Sequence, residues 1–226
     1  MLNHNCDQSW CFLPFSQASG TQNMAIDEWL LEQHQHRYNH HSATLRFYTW
    51  YPVAISLGYH QHKIPSHWNN LTWQGQAVQL VRRPTGGRAV LHQGDLTYMV
   101  ITSNIPGKPT DVYEYICQFL IQGWQSLGVD LHYGERGKGY IGNPNCFATA
   151  TGADLVTKEG HKFIGSAQLR RGNAVLQHGS MLLNPHPQLF KQVFGQEITS
   201  LPFQLNLETI IEALTKAAWE VFINIK

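Results

Sequence analysis

Three apolar segments, "ADLVT", "KFIGSAQLR" and "AVLQHGSMLL", follow one another between Ala153 and Leu183 with only "KEGH" and "RGN" between them. Such short, glycine-bearing connections leave no room for a crossover, so this stretch is the signature of an antiparallel meander. Upstream, "AVQLVRRPTGGRAVLHQGDLTYMVIT" reads as a strand, a loop rich in Arg and Gly, and further strands in which Leu96, Tyr98 and Val100 alternate with Thr97 and Met99. "LRFYTWYPVAISLGYHQ" supplies two more β-rich segments, split at Trp50 to Pro52 because proline interrupts a ladder. Strand-forming runs outnumber helices and adjoin one another. The fold class is therefore α+β, a mixed and mostly antiparallel sheet with packed helices, and a doubly wound Rossmann arrangement is disfavoured.

Helical periodicity occurs in three places. The first helix follows Thr21 or Asn23 as cap and carries Ile26, Trp29, Leu30 and Gln33 along one face. The second starts near Thr110 or Asp111, with Glu114 completing a capping box, an apolar stripe of Val112, Ile116, Phe119, Leu120 and Leu127, and Gly128 as the stop. The last runs from Leu207 to Phe222 after Asn206, with Leu207, Ile210, Ile211, Leu214, Ala218 and Val221 on one face, and is expected to pack on the sheet. No repeat, low-complexity tract or linker interrupts the chain, so one domain over residues 1–226 is expected, with no accessory domain.

Sixteen Lys plus Arg against fifteen Asp plus Glu leave a formal charge of +1, so no global field draws the chain to nucleic acid or to an anionic membrane. Any bound anion must be met by a local cluster. No apolar run approaches the roughly 18 residues that cross a bilayer, and "MLNHNCDQSW" has no signal-peptide pattern, so a soluble cytoplasmic protein is expected. Cys6, Cys11, Cys117 and Cys146 are scattered without zinc-type spacing, which predicts free thiols, and Cys117 lies on the apolar side of the second helix. His34 with His36, His40 with His41, and His60 with His62 lack the spacing of a helical metal pair and read as surface histidines; no metal is expected.

Chemistry concentrates in two stretches. "RRPTGGRAVLH" sets Arg82, Arg83 and Arg88 around Gly86 and Gly87, glycines that let backbone N–H groups approach a ligand while arginine forks match carboxylate or phosphate. "GERGKG" fails as a Walker motif, because the gap between its glycines is too short and Gly139 follows Lys138 where a hydroxyl is required. The second stretch is "NCFATATGADLVTKEGHKFIGSAQ". Cys146 stands just ahead of a hairpin whose second strand begins at Lys162, with Ile164, Ser166 and Gln168 on the face of Lys162 by period two. A thiol needs a nearby cation or base to act as a nucleophile at neutral pH, and Lys162 is the candidate; spacing alone favours a structural cysteine over the pair. His92 and His178 each follow an apolar run close to a glycine, where a side chain can point into a cleft.

"NMAIDEWLL", "LRFYTWYPVAISLGYHQ", "RRPTGGRAVLHQGDLTYMV" and "GHKFIGSAQLRRGNAVLQHGSMLL", in that order, resemble the catalytic domain of the biotin and lipoate protein ligase family, and within it the octanoyltransferases of the LipM type. The resemblance implies transfer of an octanoyl group from acyl carrier protein, through a thioester on Cys146, to a lysine of a lipoyl domain such as glycine cleavage H protein or a 2-oxoacid dehydrogenase E2, without a cofactor. It assigns Cys146 as acyl-carrying nucleophile and Lys162 as its partner. Arg83, Gly86, Gly87 and Arg88 match the ligand-cradling loop, Gly165, Ser166 and Ala167 the acyl-binding side, and His92 and His178, with Gly179 beside it, the pocket border. An ATP-dependent lipoate ligase and a transferase working between lipoyl domains are the alternatives. "CFATATGADL" departs from the residues expected after a transferase cysteine, which bears on acyl specificity.

Overall fold

The computed structural model describes residues 9–36, 43–134, 146, 154–198 and 205–223. In chain order the elements are β1 (Trp10–Ala18), α1 (Gly20–His36), β2 (Ala43–Trp50), β3 (Ala54–Leu57), a 3-10 turn (Ser66–Asn70), β4 (Thr72–Trp73), β5 (Gln76–Ala77), β6 (Gln79–Arg82) and β7 (Val90–His92). Then follow β8 (Asp95–Ser103), α2 (Pro109–Ser126), β9 (Leu131–Tyr133), β10 (Asp154–Thr157), β11 (Lys162–Arg171), β12 (Ala174–Leu182), α3 (Pro187–Phe194) and α4 (Leu207–Phe222). The glycine-rich segment 135–145 and the "FATATGA" run at 147–153 lie outside the described residues.

The large sheet has the order β1-β2-β8-β12-β11-β10-β9, antiparallel except where β1 meets β2. A small sheet, β6-β3-β7, pairs β3 parallel to β6 and antiparallel to β7. Pro52 stands where the chain leaves the first sheet for the second. The expected α+β class and the meander are both present, as β10, β11 and β12. β8 and β12 are buried along their whole length, because both sheet faces are covered. Leu96, Tyr98 and Val100 join the core under α2, while Met99 and Ile101 face α1. Each such side chain removed from water contributes about 1.5–3 kcal/mol.

The first helix corrects its predicted face. Ile26 and Trp29 are exposed, at 37% and 55%, and the buried face is Asn23, Met24, Asp27, Leu31 and His34. The cause is a buried cation on β2: the Arg46 guanidinium donates to Asp27 Oδ1 at 3.0 Å and to Asn23 Oδ1 at 2.6 Å, and Tyr48 Oη donates to Asp27 Oδ2 at 2.8 Å. Leaving that charge unpaired would cost several kcal/mol, more than exposing one tryptophan, so the helix turns its carboxylate inward. His34 is buried on this face, against the surface position expected for it.

α2 begins at Pro109, and Asp111 serves as the third residue of the cap: its Oδ2 accepts the Lys108 backbone N–H at 2.7 Å. α4 has the predicted bounds, and Asn206 Oδ1 accepts the Thr209 N–H at 2.7 Å. It packs chiefly on α2 and meets the sheet at β1, where Phe222 stacks on Trp10 with ring centroids 4.0 Å apart. The gap is made by Gly123, where a Cβ would come within 2.8 Å of Leu214 Cδ2. Among the described residues no helix is long and apolar enough to cross a membrane.

One irregularity sets the site. Between β10 and β11, Leu155 lies opposite Ile164 but Val156 opposite Lys162, so Phe163 is an extra residue. The bulge reverses the parity expected from period two. Phe163 and Ile164 both enter the core under α2, while Lys162 comes onto the face of Gly165. Ser166 belongs to the other face, where its hydroxyl accepts from Tyr98 Oη at 2.8 Å.

Candidate active site

A cavity of about 290 Å³ opens between the two sheets. Its border includes the residues that the family resemblance assigned, Cys146 and Lys162, Arg83 and Gly86 to Arg88, His92, Gly165 to Ala167, and His178 with Gly179, but not Arg82. The large sheet supplies the floor through β11 and β12, and the loop between β6 and β7 supplies the opposite wall.

Cys146 is tied to that wall through its backbone. Its N–H donates to Ala89 O at 3.0 Å, and Arg88 Nη2 reaches its carbonyl at 3.4 Å. From the floor, Lys162 Nζ donates to Cys146 O at 2.8 Å and to Cys146 Sγ at 3.3 Å. The same ammonium pairs with Asp154 Oδ1 at 2.8 Å, and both side chains are 4% exposed. Gly165 makes the approach possible: a Cβ there would stand 2.9 Å from Lys162 Cε and 3.5 Å from the sulfur. An amine and a half-buried sulfur in contact at the border of a cavity can face an acyl group together.

The arginine loop is shaped from within. Arg83 Nη2 donates to Gly86 O at 2.7 Å and Arg88 O at 2.8 Å, while Nη1 donates to Ser56 O at 3.1 Å and Nε to Thr85 Oγ1 at 3.2 Å. Its fork therefore grips carbonyls of its own loop. Gly87 has φ +95°, a conformation that favours glycine, and a Cβ on Gly58 would overlap the Gly87 carbonyl. Gly86 faces open space, which leaves its backbone accessible to a ligand. Arg82 donates to the carbonyls of Gly58, Tyr59 and Gln61 at 2.7, 3.2 and 3.1 Å and so fixes the neighbouring loop.

Two histidines join the layers. His178 Nδ1 lies 3.2 Å from Asp27 Oδ2 and Nε2 lies 2.6 Å from Thr85 Oγ1. Burial lowers its pKa below the usual 6.5, against the pull of Asp27, so the neutral ring donates from Nδ1 and accepts from Thr85. His92 bridges Asp95 Oδ2 at 2.7 Å and Ser56 Oγ at 2.9 Å and stacks on Trp50 with ring centroids 3.8 Å apart. The other described thiols are unlike Cys146. Cys11 is exposed, and Cys117 is fully buried, which pushes its pKa up to about 12. Among the described residues no cluster of His, Cys, Asp and Glu could hold a metal ion.

Asp27, Thr85 and Asp154 were not singled out from the sequence. Asp154 did leave a signal: aspartate is among the poorest strand formers, yet it opens the apolar strand "DLVT". Asp27 and Thr85 left none, because each is recruited by a residue far away in the chain.

Comparison with known proteins gives a consistent picture. The family model of the lipoyl protein ligase A/B catalytic domain matches residues 19–217. Octanoyltransferase LipM of Anoxybacillus flavithermus is 38% identical over 196 residues, covering 82% of this chain and 69% of that protein. Octanoyltransferase LipM of Bacillus subtilis is 38% identical over 188 residues, covering 78% and 66%. The chain thus spans about two thirds of the length of these relatives. Among solved structures, lipoate-protein ligase A bound with ATP superposes with a TM-score of 0.73 at 20% identity, over 95% of this chain and 85% of that one. A bi-partite lipoate protein ligase with its E2 lipoyl domain from Thermoplasma acidophilum gives 0.69 at 19% identity, over 95% and 83%. At these identities the structural likeness speaks for the fold.

Proposed function

Since the chain belongs to the lipoyl protein ligase A/B catalytic domain family, we propose that it is an octanoyltransferase of lipoate biosynthesis, taking octanoate from acyl carrier protein onto Cys146 and passing it to a lysine of a lipoyl domain. The observation that carries this reading is the Lys162 Nζ to Cys146 Sγ contact of 3.3 Å at the rim of the cavity. In the first half-reaction the Cys146 thiolate adds to the carbonyl of the incoming thioester. The carrier's sulfur leaves with the bonding electrons and takes a proton from the Lys162 ammonium. In the second, the acceptor amine adds to the Cys146 thioester, gives its proton to the now neutral Lys162 and expels the Cys146 thiolate. Every bond broken is balanced by one formed, and the thioester conserves the acyl energy, so no nucleotide is consumed.

The surroundings suit these steps. The Gly86–Gly87 backbone borders the cavity and suits the stabilisation of a developing oxyanion. Ala167, a small residue on the floor, suits an alkyl chain, whose burial is worth about 0.8 kcal/mol per methylene. From Trp50 to Gly94 the chain contains no Asp or Glu but carries Lys63, Arg82, Arg83 and Arg88, which suits an acidic carrier or a phosphopantetheine arm.

Intact mass spectrometry tests the reading. Incubated with octanoyl carrier, the protein should gain one octanoyl group at Cys146, and Cys146→Ala should gain none. Lys162→Ala should slow acylation by about a hundredfold or more. Turnover of free octanoate with ATP, retained in Cys146→Ala, would establish an adenylating ligase instead.

A further inference from the structure

We propose that Asp154 is a positioning residue that holds the Lys162 ammonium against Cys146; its use in acyl transfer rests on the reading above, but its effect on the sulfur does not. The carboxylate and the ammonium are each 4% exposed and stand 2.8 Å apart. An ammonium has three N–H donors and no acceptor. The Asp154 carboxylate takes one direction, and the carbonyl and sulfur of Cys146 lie in the others, at 2.8 and 3.3 Å. Without a counter-charge a buried ammonium either sheds its proton or swings toward water, and either change removes it from the sulfur.

The backbone explains why this carboxylate can do the work. Asp154 pairs with Gly165 across the β10–β11 ladder, and the extra residue Phe163 brings Lys162 back onto the face of that pair. Gly165 offers no side chain to stand between them. The amine is thus suspended from the neighbouring strand over a gap in its own. Strand propensity does not account for Asp154, since its β-branched and apolar successors Leu155, Val156 and Thr157 form the strand without help from an acid.

A purely structural ion pair predicts loss of stability on substitution but no specific effect on the sulfur. The two roles separate in the rate at which iodoacetamide alkylates Cys146, measured on the full chain by peptide mass spectrometry with exposed Cys11 as internal reference and with no acyl substrate present. In Asp154→Asn that rate, relative to Cys11, should fall by about tenfold or more. In a Lys162→Met background, adding Asp154→Asn should change nothing, because Asp154 acts only through the amine. A folded Asp154→Asn protein alkylated at the wild-type rate overturns the proposal, and so does further slowing of Lys162→Met by the second substitution. Should Asp154→Asn alone not fold, the comparison of Lys162→Met with the double variant decides, since a neutral pair of similar volume replaces the buried charges. Failure of octanoylation would leave these rates readable.

Discussion

His178 occupies the point where α1, β12 and the ligand loop meet, and its charge state bears on the stability of all three. Its ring is held neutral by burial, with the folded-state pKa below 6.5, whereas in the unfolded chain it binds a proton once the pH drops below that value. The unfolded state then holds more protons than the native one, so stability rises with pH through this window and is lost as the pH falls. His178→Gln, which can still donate and accept, is expected to flatten that acid limb; urea midpoints at pH 5 and pH 7.5 should differ less than in the wild type. Legibility at this scale divides along the same lines. Cys146 and Lys162 could be picked out because a thiol ahead of a hairpin and a lysine opening its second strand are local patterns. The inward use of Arg83, and the recruitment of Asp27 and Thr85 to His178, depend on groups brought together only by the sheets, at sequence separations of up to 151 residues.

Elements with a strong local code are legible in the sequence. α4 has a capping Asn206 and an apolar repeat that alone define its bounds, and the meander has turns too short for another topology. α1 departs from its apolar periodicity because its register is set by the buried Arg46 and not by its apolar residues. β1, with Pro14 within it and a register shift between Leu13 and Ser16, and the short α3 were not anticipated from the sequence. The contact between α2 and α4 allows a test confined to this scale. Gly123→Val would drive a side chain into Leu214, whose Cδ2 and Cα lie 2.8 and 3.1 Å from the position of a Cβ. Overpacking of this kind costs about 1–3 kcal/mol, to be measured by chemical denaturation, and the alkylation rate of Cys146 should be unchanged because the site lies on the opposite face of the sheet.

Across the whole molecule a formal charge of +1 conceals an uneven distribution, since the stretch from Trp50 to Gly94 has four cationic side chains and no carboxylate. Composition alone could exclude a global field, but the fold is what gathers this segment into the lobe that faces the cavity. If an acidic carrier approaches this lobe, its association should weaken with ionic strength over a Debye length of about 10 Å at 0.1 M salt. Lys63 is exposed and outside the cavity border, and Lys63→Glu should raise KM for the carrier severalfold while leaving kcat intact. Raising salt should erase the difference between the two proteins, and a difference that persists in high salt would count against an electrostatic approach. The extra residue in β11 reaches further than its local kink suggests. Gaining a single codon between Leu155 and Val156 would give Phe163 a partner and restore regular alternation, leaving composition and hydrophobicity nearly as they are, yet would send the amine to the oily side of the sheet, so an inert paralogue could descend from an active ancestor by one in-frame insertion.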